Sequence, residues 1–146
     1  VIYAKENGKK YACKVTVVTQ QRAYIDTLQR QINIQRRRYG FNSYDRNPLL
    51  QQAAQKRAKE LAEKFSHARP NGYSWASAIS MRYNFKKASE LTARYYTDPQ
   101  EVVDAWMSKA STKAKIISKR YNEIGVGVYL DEDGFLYYAV IVAVRK

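Results

Sequence analysis

The chain has 146 residues, 45% of them hydrophobic, enough for one compact domain with its own core and too apolar for a disordered segment. Its 26 Lys and Arg against 13 Asp and Glu leave a net charge of +13, so a polyanion is the natural electrostatic partner. The lone Cys13 excludes an intramolecular disulfide and a Cys-rich zinc site, and no apolar run reaches the roughly 18 residues of a spanning helix. The amino terminus lacks the charged-then-apolar layout of a signal peptide, so an export signal would have to lie outside this sequence.

Residues 1–18 read as a β-hairpin, because Val1 to Ala4 and Tyr11 to Val18 are β-prone runs on either side of Asn7-Gly8, a tight-turn pair. The segment resembles the last two strands of bacterial immunoglobulin-like repeats and is expected to be the remnant of a preceding domain. Cys13 on such a strand is a small core residue, and residues 19–21 form a polar linker. Tyr24, Ile25, Leu28 and Ile32 then recur at helical spacing and predict a helix over 22–38, stopped by Gly40 and closed by Arg36, Arg37 and Arg38.

Asn47-Pro48 carries the signature of an N-cap followed by an N1 proline, and Leu50, Ala53, Ala54, Arg57, Ala58, Leu61 and Phe65 mark the inward stripe of a second helix. A turn at Arg69 to Gly72 leads to a brief helix over 74–83 that carries Trp75 and Ile79. Asp98-Pro99 opens a further helix ending near Lys109, and a shorter one follows over 111–118. Residues 123–130 read as a strand, Asp131 to Gly134 as a hairpin turn, and 135–144 as a central strand covered on both faces. Gly125 and Gly127 are strand glycines where something packs closely. Helices first and an antiparallel pair last predict an α+β layered domain.

The local words in these elements resemble the bacterial branch of the CAP superfamily, the cysteine-rich secretory, antigen 5 and pathogenesis-related class 1 proteins with SCP-like domains. They are Asn33, Arg36 and Gly40; the full string Ser66-His67-Ala68-Arg69-Pro70-Asn71-Gly72; Glu90 in Ser89-Glu90-Leu91; Trp106-Met107 with Ile116-Ile117; and the closing pair Glu123 to Val128 and Tyr137 to Val140. The resemblance implies a three-layer α-β-α sandwich with a central antiparallel sheet over residues 22–146, and a secreted or cell-surface location. It also implies a cleft in which two His and up to two Glu can hold zinc. His67 and Glu90 fall on two of those corners, while the second His position is Thr112 and the second Glu position is Lys109.

One imidazole, one carboxylate and a nearby ammonium make a poor divalent site, so no metal ligand set and no tight zinc binding are expected. The expected function is a non-enzymatic extracellular binding or interaction module. Its binding cleft would comprise His67, Glu90, Lys109 and Thr112, with Tyr83, Tyr95 and Tyr96 at the rim. Its partner would be a cell-wall polymer, lipid or host protein, and the sequence leaves the oligomeric state open.

One alternative is a hydrolase using His67 and Glu90 as catalytic candidates, against the simpler reading that the pair hydrogen-bonds and pins two loops. Another is polyanion binding through Arg36, Arg37, Arg38, Lys56, Arg57, Lys59, Lys113, Lys115, Lys119 and Arg120; nucleic acid is not the expected polyanion, since no recognition motif accompanies the charge. Phosphate-binding loops, nucleophile elbows and His-Glu-x-x-His helices are absent from the sequence.

Overall fold

The computed structural model describes residues 7–146, with side chains from residue 17 onward. Helix α1 (Asn7–Arg38) is followed by the two-residue strand β1 (Asp45–Arg46), helix α2 (Pro48–Glu63), a 3-10 turn (Trp75–Ala78) and strand β2 (Phe85–Arg94). Helices α3 (Pro99–Ser108) and α4 (Ala110–Ile116) and strands β3 (Glu123–Leu130) and β4 (Leu136–Arg145) complete the chain. The sheet order is β1-β3-β4-β2, antiparallel except for the short parallel β1–β3 pair. This is the expected α+β, α-β-α sandwich.

β4 lies between β3 and β2 and is buried from Leu136 to Ala143. Its period of two splits it between the layers. Tyr138, Val140 and Val142 pack with Leu28 and Ile32 of α1, Val102, Val103 and Trp106 of α3 and Ile116 of α4. Tyr137, Ala139, Ile141 and Ala143 face α2, whose buried stripe is Leu50, Ala53, Ala54, Ala58 and Leu61.

Helix α2 rests directly on the β3 backbone. A Cβ added at Gly125 would lie 2.1 Å from the carbonyl oxygen of Leu50, and one at Gly127 2.2 Å from that of Ala54. The match is arithmetic: four helical residues rise about 6.0 Å and two strand residues about 6.7 Å, so the two backbones stay in step for a full turn. The next residue on each turn reaches over the sheet's edge. Gln51 accepts from the N–H of Val126 (2.9 Å) and donates to its carbonyl (2.7 Å). Gln55 does the same at Val128 (3.0 and 2.8 Å), and Gln21 of α1 accepts from the N–H of Leu130 (3.0 Å). Main-chain bonds from Asp45 to Asn122 and from Asn47 to Ile124 cover the start of the same edge.

The structure differs from the sequence expectations at four points, and the first two have a plain physical cause. The hairpin over 1–18 is not found in its described part: Asn7 to Val18 continues α1, and the joint at 19–21 lies within that helix, while residues 1–6 fall outside the described residues. Once the Tyr24–Ile32 stripe is packed, extending the helix gains a bond per residue, whereas a two-stranded hairpin has no face to bury. Strand β2 has no counterpart in the expectations because Glu90, Thr92 and Arg94 occupy one of its faces and hide the apolar alternation of Leu91 and Ala93. The brief helix over 74–83 contracts to four residues, and Phe65 lies beyond the end of α2 and is exposed.

The Gln51→Leu, Gln55→Leu double variant strips partners from four main-chain groups of β3. It is expected to lose about 1–3 kcal/mol per residue changed and to form concentration-dependent oligomers through the bared edge. Chemical denaturation and light scattering after gel filtration check this; a variant as stable and monomeric as the parent would refute the edge role.

Candidate functional site

Position 57 of α2 falls on the apolar stripe, yet it carries arginine, fully buried. It is tolerated because β2 places Glu90, 2% exposed, opposite it. The Arg57 Nε donates to Glu90 Oε2 at 2.6 Å and Nη2 to Oε1 at 3.1 Å, a two-pronged ion pair. The remaining reach of the guanidinium goes to Glu60 Oε1 (3.0 Å) and the Ser66 carbonyl (2.7 Å). Glu60 is clamped in turn by Arg69, with Nη2 to Oε2 at 2.8 Å.

His67 joins from the loop after α2. Its Nδ1 lies 2.8 Å from Glu90 Oε1, and its side chain is 60% exposed, so the ring is anchored from below and open above. The Ser66–Gly72 word now has a physical reading. Ser66 Oγ accepts from the Ala68 N–H, Arg69 ties the loop to α2, and Gly72 takes a φ of 89° to turn the chain back. The Trp75 N–H then donates to the His67 carbonyl at 2.8 Å.

The remaining expected site residues divide. Thr112 and Lys109 sit at the α3–α4 junction, where the Thr112 hydroxyl donates to the carbonyl of Trp106 (2.6 Å) and contacts that of Lys109 (3.1 Å). Tyr83 is not a rim residue: it is buried and its hydroxyl donates to Glu123 Oε1 at 2.7 Å. Tyr95 and Tyr96 are exposed. Tyr95 has a φ of 75°, rare for an aromatic residue, and its ring packs 5.1 Å from Phe135 with Arg94 stacked 4.9 Å above it. The Tyr96 carbonyl accepts from Tyr138 at 2.8 Å.

Three basic residues counted among polyanion contacts also have other work, Lys115 among them, whose ammonium donates to the Glu90 carbonyl. Arg57 is the buried partner of Glu90, and Arg36 donates to the carbonyls of Asn42, Ile116 and Ser118. The signal for Arg57 was its place on the apolar stripe, since a charge there requires an opposite charge across the interface. Glu60, absent from the expected site, stood one turn on at i+3.

Solved structures that share this fold include bacterial surface and extracellular proteins. An outer surface protein of Borrelia burgdorferi superposes with a TM-score of 0.76 at 23% identity, covering 85% of this chain and 94% of that one. An extracellular SCP-domain protein of Bacillus anthracis gives 0.74 at 19%, covering 86% and 41%. Bacillus subtilis YkwD is 27% identical over 108 residues, which are 72% of this chain, and the chain spans 42% of that protein's length. The cysteine-rich secretory protein (CAP) family profile matches residues 29–143, and the chain belongs to the CAP family. Among the described residues, no helix is long and apolar enough to cross a membrane.

Breaking the buried pair from one side leaves an uncompensated charge, so Arg57→Met is expected to cost about 3–5 kcal/mol, and the Arg57→Met, Glu90→Met double variant considerably less. Urea denaturation of the two variants checks the order; a double variant worse than the single would contradict it.

Acid should weaken the fold through two carboxyls. Burial alone would raise the pKa of Glu60, but hydrogen bonds from Arg69 and Arg57 outweigh it and hold the carboxyl below its ordinary value. The same holds at Glu123, where burial is outweighed by bonds from Tyr83, Arg145 and Asn47. A depressed carboxyl contributes stability that is whole above the unfolded value and is lost as pH falls through the folded one. The melting temperature should therefore hold down to about pH 5 and fall below about pH 4, less steeply in a Glu60→Gln variant measured by circular dichroism.

Proposed function

We propose that this chain is a non-enzymatic binding module that works outside a bacterial cell, and that its His67–Glu90 pair is architectural. One observation carries the reading: Glu90 accepts two bonds from Arg57 and one contact from His67 Nδ1, and the Thr112 hydroxyl is committed to the Trp106 carbonyl. A nucleophile has to be free and activated by a base, and Thr112 is neither free nor linked to His67 by a described contact. The residues do not fit a divalent metal either. Glu90 is neutralised by Arg57, His67 would offer only Nε2, and the other corners are a bonded hydroxyl and a lysine. An extracellular setting is supported by the two surface and extracellular bacterial proteins that share the fold.

Zinc calorimetry tests the assignment. The protein is expected to give no sub-micromolar heat signal and His67→Ala the same trace. Tight binding abolished by His67→Ala would sink the architectural reading. Hydrolysis of peptide or cell-wall substrates lost in that variant would replace it with catalysis.

A further inference from the structure

The excess positive charge is concentrated where the end of α1 meets the end of α4. Residues 36–44 carry three basic side chains and residues 113–122 carry four, with no Asp or Glu in either segment. The two segments are bolted together. Arg36 Nη1 donates to the carbonyls of Ile116 (2.6 Å) and Ser118 (2.9 Å), Tyr44 donates to the carbonyl of Lys115 (2.8 Å), and the Lys113 ammonium lies 4.8 Å over the Tyr39 ring. Arg36 and Lys115 are spent on these bonds and on the Glu90 carbonyl. Arg37, Arg38, Lys119 and Arg120 remain on the surface, Arg37 with one bond to the Ser43 hydroxyl (2.9 Å). Among the described residues, the ion pairs engage Arg46, Arg57, Arg69, Arg145 and His67, and none engages a cation of this corner.

A cavity of about 290 Å³ opens at this corner, lined by the cations Arg36 and Lys119, by Asn42, Ser43 and Asn122, and by the rings of Phe41 and Tyr121. We propose that this corner binds an anionic polyol-phosphate polymer of the bacterial cell-wall type; the choice of polymer rests on the extracellular reading above. Phosphates meet the unpaired cations, and the amides and hydroxyl of the cavity suit the free hydroxyls of a polyol, which both donate and accept. A single-stranded nucleic acid would ask instead for stacking platforms. The rings here are largely engaged: Lys113 occupies one face of the exposed Tyr39, and Arg36 lies 5.4 Å over the half-buried Phe41. The half-buried Tyr121 packs on the core with its hydroxyl at Ser89.

The test measures binding of poly(glycerol phosphate) to the whole chain between 50 and 200 mM salt, with single-stranded DNA and anionic phosphatidylglycerol vesicles as competitors. The Arg38→Gln, Lys119→Gln, Arg120→Gln triple variant is expected to bind about tenfold or more weakly, with a shallower salt dependence by roughly two to three phosphate contacts. These side chains have no described bond to the fold, so melting temperature should not move. The Arg82→Gln, Lys86→Gln, Lys87→Gln variant removes the same charge from other exposed positions and is expected to lose less than about threefold. Equal losses in both variants would reduce the corner to net charge, and preference for DNA or vesicles over the polymer would overturn the assignment. No variant touches His67 or Glu90, so failure here leaves the architectural reading of that pair to its own zinc test.

Discussion

The structure depends on a helix lying against a strand with no side chain between them. At Gly125 and Gly127 the α2 backbone comes so near β3 that a single methyl would overlap Leu50 and Ala54 carbonyls. That proximity is what lets Gln51 and Gln55 reach past the sheet and bond Val126 and Val128 as a neighbouring strand would. The amide of glutamine repeats the chemistry of a peptide unit, and an i,i+4 pair on the helix repeats the spacing of an i,i+2 pair on the strand. A sheet that ends after a two-residue β1 thereby closes without another strand. The opposite edge is treated alike, with Lys115 donating to the Glu90 carbonyl and Trp106 Nε1 to that of Thr92.

The same seating decides where the charges go. Having begun over β3, α2 crosses β4 at Ala58 and Leu61 and so brings Arg57 over Glu90 on β2. A buried ion pair of this kind is weak as a source of stability, because two desolvated charges repay little more than their own burial. What it supplies is position: the helix has one place along the sheet where Arg57 finds Glu90, and the loop from Ser66 to Gly72 is hung from that point through Ser66, His67 and Arg69. The imidazole stays exposed on this anchored loop.

Legibility in the sequence followed burial pattern. Helices with a cap and an apolar stripe, α2 and α3, were placed within a residue or two at their starts, and β4 was readable as central from its unbroken apolar run. β2 was not, because Glu90, Thr92 and Arg94 make one of its faces polar, and the partner that buries Glu90, Arg57, lies more than thirty residues away in the chain. The amino-terminal hairpin misled for the opposite reason: β-prone residues and an Asn-Gly pair are local signals, and a helix already held by the core overrode them. Of the expected cleft, the contact of His67 with Glu90 was legible, whereas the burial of Tyr83 under Glu123 and the commitment of the Thr112 hydroxyl were tertiary facts with no local mark.

The words that carried the family resemblance share a property. Asn33 holds both main-chain groups of Tyr44, Arg36 ties α1 to two loops, Arg69 ties the His67 loop to α2, Trp106 caps the sheet edge, and the two glycines admit α2. Each has a task inside the fold. At Thr112 and Lys109, where the resemblance leads one to expect His and Glu, a hydroxyl closes the α3–α4 junction and an exposed lysine side chain sits beside it. A match built on scaffold words speaks for architecture, and the ligand has to be sought where this chain differs from a neutral surface, at its unpaired cations.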